Sequence, residues 1–161
     1  MGLTSLESMP EMLEANRRNF ELYQYNLSDI PGVRLRSYDS ANSNFHYVVL
    51  EVDEGNAGVS LDELLEILHA EGVLARRYFY PGCHSAEPYR TLFPEAGLFL
   101  PVTERMNQQL MQLPTGSSIG QPQIETICAI IRFSVTNSDY IRAGMKTRAA
   151  GAVPQRGFLA V

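Results

Sequence analysis

From about Leu6 to Leu27 the residues Met9, Met12, Leu13, Phe20, Tyr23 and Leu27 recur at helical spacing, with Glu and Arg between them. The spacing predicts one amphipathic helix with Pro10 in its first turn, stopped at Ile30-Pro31-Gly32. The period then changes to two. Val33 and Leu35 alternate with Arg34 and Arg36 in VRLRSY, and the polar SANSN leads into FHYVVLEV, Phe45 to Val52, rich in β-branched and aromatic residues. This pair predicts an antiparallel hairpin. DEGNAG reads as a loop. Ser60 opens the next helix, with Glu63 at the capping-box spacing, a stripe of Leu61, Leu64, Leu65 and Leu68, and Gly72 just past its end. VLARRYFY reads as a third strand ended by Pro81. Two further helices start near Pro101, with Val102, Met106 and Leu110, and near Pro122, with Ile124, Ile127, Cys128 and Ile131.

After about Val135 no period is sustained. The expected organisation is a domain over residues 1–135 and a loosely structured tail over 136–161, which either holds a short helix or has none. The fold class that follows is α/β: a small two-layer sandwich with a short, mainly antiparallel sheet covered by helices. A right-handed crossover would lay strand three parallel to strand two. Pairing it beside strand one instead makes every neighbour antiparallel and gives the order 2-1-3, which is the expectation.

Composition narrows the partners. The net charge is −5 and the pI about 5.2, which provides no electrostatic footprint for nucleic acid. No apolar run is long enough to span a bilayer, and the N-terminus lacks the basic and apolar regions of a secretory signal, so the expected compartment is the cytoplasm. The two cysteines, Cys83 and Cys128, suit a reducing environment better than a disulfide scaffold. Lys146 is the one lysine in the sequence.

The chemistry-bearing residues concentrate in ARRYFYPGCHSAEPYR, Ala75 to Arg90. Strand alternation puts Arg76, Tyr78 and Tyr80 on one face and Arg77 and Phe79 on the other, so at least one arginine should meet another surface. An arginine fork suits phosphate or carboxylate, and tyrosine adds a stacking face. The competing reading is an exposed edge strand with snorkelling arginines. Cys83-His84 reads as a polar loop, because a thiol enzyme needs its histidine near in space and a zinc site needs four ligands in paired spacings. No metal is expected. His46 and His69 read as structural, and the carboxylates of Asp62 and Glu63 as parts of a helix start.

Four blocks in order, ANRRNFELYQYNLSDIPGV, RRYFYPGCHSAEPYR, LPVTERMNQQLMQLPTG and QIETICAII, resemble the C-terminal part of the DegT/DnrJ/StrS sugar aminotransferases. The resemblance covers about Gly2 to Phe133. It implies the small domain of a fold type I enzyme that uses pyridoxal phosphate (PLP) and glutamate to aminate keto-sugars carried on nucleotides. In that family the Schiff-base lysine lies on an upstream large domain, and Lys146 falls in the unmatched tail. The implied chain has no catalytic or cofactor-binding residues of its own and no cofactor alone. Its implied partners are a large PLP-binding domain or subunit and a nucleotide-sugar, and alone it should self-associate or aggregate. Arg76, Arg77, Tyr80 and His84 are the implied contacts to substrate or to the large domain. The alternative is a freestanding binding or interaction module derived from the family.

Overall fold

The computed structural model describes residues 7–37 and 43–150, with side chains through Met145. The start of the expected first helix, most of the SANSN turn and the end of the tail lie outside the described residues. The first helix, α1, runs Met9–Leu27, with proline in its first turn as expected. Only its second half is core: Phe20, Tyr23 and Leu27 are buried, whereas Met9, Met12 and Leu13 stand exposed.

Two short strands follow, β1 (Val33–Leu35) and β2 (Val48–Val52), paired antiparallel with Val33 opposite Val52. The second strand is shorter than FHYVVLEV predicts because Phe45 is left-handed, with φ 49°, and turns the chain before Val48. DEGNAG is a one-turn helix, α2 (Glu54–Ala57), not a plain loop. The Asp53 carboxylate accepts from the Gly55 N–H at 3.1 Å and starts that turn. The next helix, α3 (Leu61–Ala70), has the expected capping box: Glu63 N–H donates to Ser60 Oγ, and Ser60 N–H donates to the Glu63 carboxylate. Gly72, with φ 76°, follows the helix end.

The sheet departs from the expected order. Its strands run β1-β2-β4-β3, all antiparallel, where β3 is Arg76–Arg77 and β4 is Leu110–Leu113. The two-layer class and the antiparallel neighbours stand, but the 2-1-3 order is corrected: β3 pairs with β4, not with β1. Leu110 had been assigned to the Pro101 helix. That helix, α5 (Pro101–Gln109), stops one residue earlier, after which LMQL extends and places Met111 and Leu113 on the buried face. Alternation over four residues is too short to outweigh the helical signal before it.

Two helices close the described chain, α6 (Gln121–Thr136) and α7 (Ser138–Ala150). The stretch with no sequence period is therefore helical through Ala150. Arg142 on α7 donates to the Gly58 carbonyl at 2.5 Å. Helices α1, α3 and α6 cover one face of the sheet. Their Tyr23, Leu64, Leu68, Ile124 and Ile131 pack against Val48, Leu50, Val52, Met111 and Leu113, all fully buried or nearly so. Burial pushes the Cys128 thiol on α6 up to about 12, because a thiolate there would be desolvated. Arg132 of α6 grips the Asp29 carboxylate with both guanidinium branches, at 2.8 and 2.6 Å, and so pins the end of α1.

Candidate functional site

The sheet register decides what the adjacent arginines can do. Arg76 lies opposite Gln112 and Arg77 opposite Met111. Residues directly opposite share a face, so Arg77 points to the helix-covered side and Arg76 to the open one. On its side, Arg77 donates through Nε to Asp62 of α3 at 3.1 Å, through a second branch to the same carboxylate, and through Nη1 to the Asn107 carbonyl of α5 at 2.9 Å. Its guanidinium also sits 4.4 Å from the Tyr80 ring centroid. Arg77 thus joins β3 to two helices. The arginine that sequence alternation sent toward another surface is this one.

The expected third strand ends early. Tyr78 still donates its N–H to Leu110 at 3.0 Å, but Phe79 takes φ 49° and the chain leaves the sheet. Beyond it, residues 79–102 form a lobe of short turns: a 3₁₀ turn at Cys83–Ser85, a one-turn helix α4 (Tyr89–Leu92) and another 3₁₀ turn at Ala96–Phe99. The Asn107 side chain holds the lobe to α5 by donating to the Pro81 carbonyl at 2.9 Å. His84 meets Glu104 of α5, with 2.5 Å between Nε2 and the carboxylate. Gly82 is required where this chain passes α5. Its φ is 90°, and a Cβ would come within 2.8 Å of the Asn107 amide. Thr91 and Arg90 hold the Glu87 carboxyl below its ordinary range.

The four sequence candidates are not one constellation. Arg77 and Tyr80 stack together, and His84 connects to them through α5, by way of Glu104 and Asn107. Beside His84, Phe79, Tyr89, Phe93, Leu100 and Thr103 surround an apolar hollow of about 490 Å³. Arg76 faces a different hollow of about 650 Å³ at the end of the sheet, with Asn16, His46, Tyr47, Gln112 and the loop Pro114–Ile119. Sequence reasoning missed Glu104, Asn107 and the Pro114–Ile119 loop. The first two act only through contacts with residues more than fifteen positions away, which no local pattern encodes. Among the described residues no cluster of three or more His, Cys, Asp or Glu could hold a metal ion, and no helix is long and apolar enough to cross a membrane.

This arrangement of one helix-covered antiparallel sheet and an open-sided lobe has close relatives. The chain belongs to the DegT/DnrJ/EryC1/StrS aminotransferase family, whose profile matches residues 1–132. Among solved structures it is similar to DesI, determined in the presence of its TDP-sugar product: 41% identity and TM-score 0.83, over 91% of this chain and 37% of that one. The dTDP-4-amino-4,6-dideoxy-D-glucose transaminase of Escherichia coli is 24% identical over 131 residues, 81% of this chain and 35% of its own length. PseC of Helicobacter pylori, an aminotransferase involved in pseudaminic acid biosynthesis, shares the fold at TM-score 0.74 and 19% identity, over 84% of this chain and 36% of its own. The chain spans about a third of the length of these relatives.

The family depends on PLP. The described side chains do not fit a Schiff-base site for it. Lys146, the one lysine in the sequence, falls on α7 beyond the family match, so residues 1–132 hold no amine for a Schiff base. No step through PLP is derived for this chain.

Proposed function

We propose that these residues act as the small, C-terminal domain of a nucleotide-sugar aminotransferase. In this reading a large PLP-binding domain or subunit supplies the Schiff-base lysine for amino transfer from glutamate to a keto-sugar nucleotide in the cytoplasm, and the chain alone is catalytically silent. The observation that carries the reading is the lobe. Phe79, Leu92, Phe93, Leu98 and Phe99 are each more than 60% exposed on one continuous stretch of chain, inside the family-matched residues. Apolar exposure on this scale marks an interaction surface. About two thirds of each relative's own length lies outside the match and is available to cover it.

Within this reading the candidates divide. Tyr80 and His84 sit on the lobe, where a large domain or substrate would meet them. Arg77 acts through Asp62, Asn107 and Tyr80 as the group that sets the lobe's angle to the sheet. Arg76 reaches the opposite side of β3.

The test is complementation. The chain is co-expressed with the large domain of a family member and assayed with PLP, glutamate and a nucleotide-linked keto-sugar. The expected result is a co-purifying complex with turnover, and self-association with no turnover for the chain alone. A monodisperse monomer that ignores the large domain would overturn the reading in favour of the freestanding module. Turnover by the chain alone would overturn its catalytic silence.

A further inference from the structure

We infer that Glu104 is a positioning residue: it fixes the tautomer of His84 and leaves Nδ1 of that ring as an acceptor for an O–H or N–H donor brought to the lobe. This role rests on the reading above, in which His84 meets the large domain or the substrate. Glu104 and Asn107 are three residues apart on α5 and so share a face of the helix. Asn107 holds the start of the lobe by donating to the Pro81 carbonyl at 2.9 Å. Glu104 reaches His84 a little further along the lobe, with 2.5 Å between its carboxylate and Nε2. Two glycines leave room for the pair. A Cβ at Gly82 would lie 2.9 Å from the imidazole Cε1, and a Cβ at Gly97 would lie 3.1 Å from the Glu104 oxygen. The imidazole is 10% exposed and held, whereas the Glu104 side chain is 44% exposed. A carboxylate that open to water adds little stability as an ion pair, so its contact with the ring matters more for geometry than for folding.

A carboxylate only accepts hydrogen bonds, so Nε2 must carry the shared proton. In a neutral imidazole the other nitrogen then has a free lone pair. Nδ1 makes no hydrogen bond among the described residues. It is not sealed from solvent either: the side-chain atom that is both sealed and unpaired among the described residues is Asn19 Oδ1. The ring borders the hollow of about 490 Å³ whose walls include Phe79, Tyr89, Phe93 and Leu100. Once a partner covers those walls, an acceptor left without a donor is costly, and one that meets a donor selects for it. A ring free to change tautomer would offer an N–H there half-made for the wrong group. The carboxylate on α5 removes that choice.

The experiment has two arms. The first uses the chain alone. Nitrogen NMR of the imidazole rings is recorded near pH 9, well above the ordinary imidazole pKa of about 6.5, and His84→Asn identifies the His84 signals among the three histidines. Wild type should carry the His84 proton wholly on Nε2. Glu104→Ala should admit the Nδ1–H form. Glu104→Gln, whose side-chain oxygen can accept the same proton, should restore the wild-type form. A tautomer mixture in wild type, or no change in Glu104→Ala, overturns the inference whether or not the chain meets a large domain. The second arm uses the co-expressed complex with PLP, glutamate and a nucleotide-linked keto-sugar. Glu104→Ala should lower kcat/KM or the affinity between the domains by about tenfold to a hundredfold, the usual scale for a group that orients a working histidine, and Glu104→Gln should recover most of it. A loss of kcat/KM with assembly intact puts the donor on the substrate, and a loss of assembly puts it on the large domain. Glu104→Ala combined with His84→Ala should be no worse than His84→Ala alone, because Glu104 acts through the ring. Additive losses, or full activity and assembly in His84→Ala, would overturn the inference. A wild-type pair that never assembles overturns the small-domain reading instead, and the tautomer is still decided by the first arm.

Discussion

Helix α6 and the lobe over residues 79–102 are both rich in apolar side chains, and they treat them in opposite ways. On α6, Ile124, Ile127, Cys128, Ile131 and Val135 fall on one stripe and are buried against α1, α3 and the sheet. In the lobe, Leu98 and Phe99 are each 77% exposed. The cause lies in the backbone. Sixteen helical residues present a continuous stripe, so each side chain has the next as a neighbour. Turns of three or four residues, divided by Pro81, Pro88 and Pro94, scatter their side chains outward. The polar groups of the lobe are well tied, through Asn107, Glu104 and Glu87, while its apolar groups are left uncovered. A segment held in place by polar contacts and apolar outside is shaped for a surface other than this domain's own core.

The sharpest test of that contrast is truncation in each region. Ile131→Ala and Leu113→Ala remove side chains with no exposed surface, and each should lower stability by about 2–5 kcal/mol in urea unfolding. Leu98→Ala and Phe99→Ala should change the unfolding free energy by no more than about 0.5 kcal/mol while reducing self-association measured by sedimentation. A core-sized stability loss in the lobe would mean that its side chains support this chain after all.

The same contrast explains what the sequence disclosed. Long periodic elements were legible: the stripes of α3 and α6, the second half of the α1 stripe, the Ser60–Glu63 cap and the Gly72 stop stand where spacing put them, while Met9, Met12 and Leu13 of α1 stay exposed. The sheet was legible as antiparallel, but its order was not. β4 is four residues attached to a helix, and its place is fixed by pairing with β2, about sixty residues away. At the site, alternation separated Arg76 from Arg77, but it put Tyr80 with Arg76, whereas the ring stacks on Arg77 because the chain leaves the sheet at Phe79. It could not say which face the helices cover, since that depends on β4. Nor could it show Glu104 beside His84, or Asn107 holding both Arg77 and Pro81, because those contacts exist only once α5 has crossed behind β3.

The two arginines give a smaller and more local version of the comparison. Arg77→Ala removes a bond to Asp62, a bond to the Asn107 carbonyl and the Tyr80 stack, and leaves a partly buried acceptor unpaired. Asp62 is largely exposed, which screens its share, so the expected loss is about 1–2 kcal/mol. Arg76→Ala should stay within about 0.5 kcal/mol, since no ion pair is lost. Equal losses from the two substitutions would refute the assignment of Arg77 to the scaffold and Arg76 to the hollow.

The smallest expected effect lies on the open face of the sheet and appears as a dependence on pH. Glu51 is opposite Arg34 in the register and accepts from Arg34 at 2.8 Å and from Arg36 at 3.1 Å. Burial alone would raise its carboxyl, but the hydrogen bonds and charges of the two arginines outweigh burial and hold it below its ordinary value of 4.5. A depressed folded-state pKa means that the unfolded chain takes up the proton first as pH falls. The stabilisation is therefore complete above the unfolded value and is lost as pH drops below 4.5 through the folded one. Glu51→Gln should cost about 0.5–1 kcal/mol at neutral pH, the scale of a cross-strand charge pair. The difference between wild type and Glu51→Gln should be flat from pH 7 to about 5, then shrink at lower pH as both chains come to carry an uncharged side chain there. A difference that grows on acidification would show that Glu51 is not held by the arginines, and that the open face owes its order to another contact.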